Sequence, residues 1–118
     1  MSSTVQFTVQ PKNVDSDANE TDLEQYTITN TYNTVVKYEN AMASADKAIT
    51  LPTEANHLVI ELQSDQGITL KITDGSTTTT YLNVKNVIMN MSSGKDYTYT
   101  INNDTSGTTA NVKWYQYR

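Results

Sequence analysis

Cysteine is missing from this sequence. That excludes disulfides, thiolate metal sites and thiol nucleophiles, and leaves the redox compartment undetermined. Histidine occurs once, as His57, so a His-rich metal site is also excluded. There are only four glycines, and most fall in turn-like stretches, which leaves no glycine-rich loop to cradle a phosphate. Basic charge is sparse: 8 Lys and Arg against 13 Asp and Glu give a net charge of −5. The cations are scattered singly, whereas backbone phosphates require clustered ones, so no nucleic-acid partner is expected. No apolar run approaches membrane-spanning length, and no membrane partner is expected. The opening "MSSTVQFTVQ" lacks the basic and apolar regions of a signal peptide, so secretion by that route is not expected. The chain reads as a complete small soluble protein.

What is present is neutral and polar. Hydrophobic residues make up 36% and charged residues 18% of the 118, and the balance is mainly Thr, Asn and Ser. Threonine suits a pleated strand with one wet face. Tyrosine outnumbers phenylalanine 8 to 1, supplying aromatic area whose hydroxyl can stay hydrated. Both point to thin β-layers with large exposed faces.

Period-two alternation runs through the chain. Val5, Phe7 and Val9 share a face, as do Leu58, Ile60 and Leu62, then Ile68, Leu70 and Ile72, then Tyr97, Tyr99 and Ile101. Near the end, Val112 and Trp114 oppose Lys113, Tyr115 and Tyr117, which predicts a core position for Trp114. Asp74-Gly75 between two alternating runs is a strong hairpin signal. "SDQG" (64–67) and "SSGK" (92–95) read as further turns, and "NNDTSG" (102–107) as a loop. The C-terminal half therefore predicts a meander with strands near 57–63, 67–73, 77–84, 86–91, 96–101 and 109–117. In the N-terminal half, 3–10, 25–32, 34–38 and 48–52 look like strands, 12–23 like a polar loop, and 39–48 like a short helix or a loop. The expected fold is all-β: a single antiparallel β-sandwich or jelly-roll-like barrel of about eight strands, with at most one short helix. It forms one domain over 1–118, within which 1–23 is an N-terminal strand plus an acidic connector.

A search for chemistry yields little. His57 has no nucleophile elbow or assembled triad around it, and reads as a surface or sheet-edge histidine. Glu54, Glu61, Asp65 and Asp74 lie in or beside strands and turns, where backbone hydrogen bonding accounts for them. No catalytic residue is assigned, no cofactor is implied, and the protein is expected not to be an enzyme. Val87, Met89 and Met91 share a strand face and read as core filling.

The stretch "NVDSDANETDLEQY" (13–26) holds Asp15, Asp17, Glu20, Asp22 and Glu24. Asp15, Asp17 and Asn19 alternate like the first ligands of a calcium loop. Such a loop needs glycine at its sixth position and glutamate at its twelfth, and here these are Glu20 and Tyr26. No metal is expected, and the stretch reads as a solvated, self-repelling connector.

Partner contact is the remaining role. Val5, Phe7 and Val9 form an alternating strand beside the acidic loop; it either pairs within its own sandwich or adds to a neighbour's sheet. Tyr115 and Tyr117 lie on the strand face away from Trp114, where aromatics could anchor a protein or stack on a sugar.

From "AITLPTEANHLVIELQSDQGITLKITDG" through "SSGKDYTYTINNDTSGTTANVKWYQYR" the cadence is a short strand ending in Leu-Pro, an apolar strand, a polar hairpin, then a Ser-Gly-Lys turn before Tyr-rich alternation. Over roughly residues 46–118 this resembles the small all-β virion structural proteins of tailed bacteriophages: head decoration, head-fibre and tail accessory proteins. The resemblance is one of cadence and composition, so no functional residue carries over. It implies a non-enzymatic part of the virion, assembled in the host cytoplasm. Its partner would be the major capsid protein or another virion protein, and a homo-oligomer is compatible. A carbohydrate-binding or adhesin module is the alternative, resting on the tyrosine pair and the Thr/Asn-rich surface, with a glycan as ligand.

Overall fold

A computed structural model describes residues 2–43, 48–103 and 108–118. The architecture is all-β, with no helix among the described residues. Among the described residues ten strands follow in chain order: β1 (Ser3–Val9), β2 (Lys12–Val14), β3 (Glu20–Asp22), β4 (Tyr26–Tyr32), β5 (Val35–Met42), β6 (Ile49–Thr50), β7 (His57–Asp74), β8 (Thr77–Lys95), β9 (Thr98–Asn102) and β10 (Ala110–Tyr117). All the pairings are antiparallel.

The body is a curled sheet built on β7. Along one edge, β7 pairs first with β10 through Val59–Ser64 and then with β9 through Thr69–Thr73. Along the other edge it pairs with β8. Register shifts between Gln63 and Ile68 and between Ile68 and Leu70 bend the strand; a bulge adds local twist and turns a strand's direction. The two ends of the sheet therefore face each other. Trp114, opposite Leu62, meets Tyr99, opposite Ile72, with ring centroids 4.9 Å apart. Around this pair lie Leu51, Ile60, Leu62, Ile68, Leu70, Ile101 and Val112, all buried. Trp114 occupies the core as its alternation predicts, and Val87, Met89 and Met91 pack into the same core. β5 extends the sheet beyond β10, and β6 beyond β9.

Three sequence expectations change. The run 64–67 is a bulge inside β7, not a turn. Ser64 Oγ donates to the Gln66 carbonyl at 2.6 Å, and the Asp65 carboxylate accepts from Asn111 N at 2.8 Å and Asn111 Nδ2 at 2.7 Å. Likewise 92–95 continues β8, in which the expected strands 77–84 and 86–91 run together, so six expected strands become four. Residues 39–42 of the expected helix or loop belong to β5, while 44–47 lie outside the described residues, as do 104–107 of the expected loop. The Asp74-Gly75 hairpin does form. Its two loop residues are Gly75 and Ser76, and the positive φ falls on Gly75 alone (61°), the pattern of a type II′ turn.

Candidate functional site

The strands β1 and β4 build a second layer. β1 pairs with β4 from Ser3↔Tyr32 to Val9↔Tyr26, so Val5, Phe7 and Val9 share a face with Asn30, Ile28 and Tyr26. The strand that could have added to a neighbour is paired within its own chain. Its apolar face lies on the sheet: Val5 is buried, Phe7 and Val9 are half-buried, and Asn30 Nδ2 donates to Asn90 Oδ1 at 3.0 Å.

Tyr117 is the anchor. Its ring meets Tyr32 edge-on at 5.0 Å and Phe7 at 6.2 Å. Edge-to-face aromatic pairs add about 0.5–1.5 kcal/mol each beyond burial. Burial and then the nearby Glu61 carboxylate push the Tyr117 hydroxyl above its ordinary range. Tyr117 is thus taken up inside the molecule, and it no longer forms an open platform with Tyr115, which stays half-buried on the next same-face position. Val59, opposite Tyr117, is fully buried although it points away from the main core, as a covered outer face requires.

Beyond Val9 the ribbon continues as an arm. β2 pairs with β3 from Lys12↔Asp22 to Val14↔Glu20. Between the two paired segments, Gln10 and Pro11 stand opposite Leu23, Glu24 and Gln25, so one strand carries an extra residue. The Pro11 carbonyl accepts from Leu23 N at 2.9 Å, and Gln10 Nε2 donates to the Leu23 carbonyl at 2.7 Å. Every residue from Lys12 to Thr27 is exposed. The radius of gyration is 16.0 Å, against about 13.5 Å for a compact chain of this length.

The β2–β3 pairing and its tip replace the polar loop expected at 12–23 by a solvated hairpin. Asp15 Oδ1 accepts from Asp17 N and Asn19 N, both at 2.9 Å, while Asp15 N donates to the Asn19 carbonyl at 3.0 Å. Ala18 takes the left-handed conformation (φ 63°) that closes a three-residue hairpin loop. The hydrogen bonds from Asn19 and Asp17 hold the Asp15 carboxyl below its ordinary range. Asp15 therefore organises the turn, and no cluster of metal-ligating side chains exists among the described residues.

The arm also concentrates charge. Residues 12–24 hold Lys12 and five carboxylates, a net −4 of the chain's −5. The arm exposes Val14, Leu23 and Tyr26 as well. The sequence displays the acids but not the exposure of the apolar trio, because β2, which holds Val14, is only three residues long, Leu23 lies between strands and Tyr26 heads β4.

A second polar group sits in the body. His57, expected at the surface, is 0% exposed. Its Nδ1 lies 3.1 Å from the Glu54 carbonyl and its Nε2 2.6 Å from the Tyr99 hydroxyl. Trp114 Nε1 donates to the Pro52 carbonyl at 2.9 Å, and Gln116 Oε1 accepts from Glu54 N at 2.7 Å. These side chains pin the segment 52–54 onto the core. Gln116 Nε2 is buried with no hydrogen-bond partner. The group is a structural clasp: apart from that atom its polar groups are spent on backbone or on each other, and among the described residues His57 bonds only the Glu54 carbonyl and the Tyr99 hydroxyl.

Among the described residues no helix is long and apolar enough to cross a membrane. Comparison with protein-family models, with curated proteins and with solved structures finds no match to this chain.

Proposed function

We propose that this protein is a non-enzymatic structural part of a tailed-phage virion, of the capsid-decoration or fibre-related kind, that binds the capsid lattice or a neighbouring virion subunit. One observation carries the reading: a tightly turned, hydrogen-bonded hairpin arm, exposed from Lys12 to Thr27, stands on an aromatic-anchored ribbon over a curled sheet. An exposed ribbon bearing apolar side chains is a surface suited to a partner that covers it. Ribbon arms suit repeated assemblies, where the gain of one contact is multiplied over many copies. The virion cadence of residues 46–118 adds the setting.

Sedimentation of the producing lysate tests the proposal. The protein should appear in the dense-particle fraction; finding it wholly in the supernatant would sink the idea.

The carbohydrate-module alternative is weakened by the engagement of Tyr117 with Phe7 and Tyr32. It keeps Tyr115 as its sole aromatic support from the original pair. A glycan screen in which Tyr115→Ala leaves every signal unchanged removes it.

A further inference from the structure

The exposed large hydrophobic side chains among the described residues are Val14, Leu23, Tyr26, Tyr81, Leu82 and Ile88. They fall in two places, three on or at the base of the arm and three on β8. Leu82 is the most exposed of them, at 73%. β8 is a 19-residue strand that pairs with β7 on one side; among the described residues no strand pairs with its other side. Asn30 Nδ2 reaches the Met91 carbonyl, which ties the ribbon to β8 only near that position. The rest of the edge offers a row of backbone donors and acceptors to an incoming strand.

The charges of the two places are opposite. β8 contains Lys85 and Lys95 and no carboxylate, whereas residues 12–24 carry a net −4. Neither place is covered within the protomer, since Lys12–Thr27 and Thr77–Asn83 are exposed throughout. We infer that the arm of one copy docks on the free β8 edge of a second copy by strand pairing, with exposed apolar side chains of both elements packed beside the paired backbones and carboxylates against Lys85. The contact is heterologous, so it links copies head to tail into rings or open chains. It rests on the arm and the edge alone, and stands or falls independently of the virion setting.

The test uses the purified full-length protein in sedimentation equilibrium. The mass should climb above the 13.2 kDa of one protomer as concentration rises. The climb should shrink as added salt cuts the screening length from about 10 Å to about 3 Å. An arm variant, Glu20→Lys with Asp22→Lys, should stay monomeric alone, and so should an edge variant, Leu82→Glu with Lys85→Glu. An equimolar mixture of the two should stop at twice the protomer mass, because only one intact arm and one intact edge remain to meet. Val14→Ser with Leu23→Ser, which leaves the charge unchanged, should also abolish association. A wild-type protein that stays monomeric at every concentration overturns the inference. So does an arm variant that self-associates alone, which would indicate edge-to-edge pairing instead.

Discussion

The Tyr99 hydroxyl and His57 Nε2 lie 2.6 Å apart, and both residues are out of water. The Glu54 carbonyl can only accept, so His57 Nδ1 must carry the proton that bonds it. In the neutral ring Nε2 is then the acceptor and Tyr99 the donor. Burial holds the His57 pKa below its ordinary 6.5, against smaller opposing effects of the Glu54 carbonyl and the Asp96 carboxylate.

That depression sets a pH dependence. The unfolded chain takes up the His57 proton before the folded one does, so the contribution to stability is whole above pH 6.5 and shrinks as pH falls through that value. Asp15 and Asp65 have carboxyls held below their ordinary 3.8, so their loss comes in a separate, lower window. Urea midpoints between pH 7.5 and 5 should fall for the wild type and stay flatter for His57→Gln. Equal slopes for both proteins would contradict the assignment.

Tyr99→Phe keeps the ring against Trp114 and removes only the donor to His57. A buried acceptor left unsatisfied costs about 1–3 kcal/mol. Denaturant unfolding at neutral pH should register a loss in that range with an unchanged m-value. A neutral effect would mean that the hydroxyl is not donating to the imidazole.

Gly67 is required by a close approach. A Cβ built there would overlap Oδ1 at the end of the exposed Asn83 side chain, and Asn83 itself is left-handed (φ 57°). Gly67→Ala should destabilise by about 0.5–1.5 kcal/mol, the cost of driving the Asn83 side chain off its rotamer. Asn83→Gly removes the obstructing side chain and accepts the same backbone, so the double variant should recover most of the loss. Additive losses would show that the side chain of Asn83 is not the obstacle.

The aromatic anchor predicts a local opening. Phe7→Ala and Tyr117→Ala should each speed amide hydrogen exchange in β1 and β4 while leaving β7, β9 and β10 protected. A double-mutant cycle should return about 0.5–1.5 kcal/mol of coupling between the two rings. Zero coupling would contradict the contact.

Much of the body was legible. Alternation located the cores of β1, β7, β9 and β10, placed Trp114 inside, and Asp74-Gly75 marked the hairpin. The bulge at 64–67 was not, because Ser, Asp and Gly serve turns and bulges alike; only the bonds from Asp65 to Asn111, 46 residues away, tell them apart. His57 misled for a similar reason, since its burial depends on Tyr99, which is 42 residues distant. In the acidic stretch the calcium-like spacing and the tight turn use the same residues. Asp15 and Asn19 bond each other's backbone or side chain, and a list of ligand types does not reveal that. Tyr117 was singled out for an outside partner, and it has one inside: aromatic residues seek the same company within a fold as between folds.

On the proposed function the exposed arm is the contact element of an assembling structural protein. That role is tested most directly by particle sedimentation of the wild type beside the Val14→Ser, Leu23→Ser variant, with thermal unfolding confirming that both are folded. The account predicts wild-type protein in the dense-particle band and the variant in the supernatant. Equal recovery of both in the band, or of neither, would contradict it.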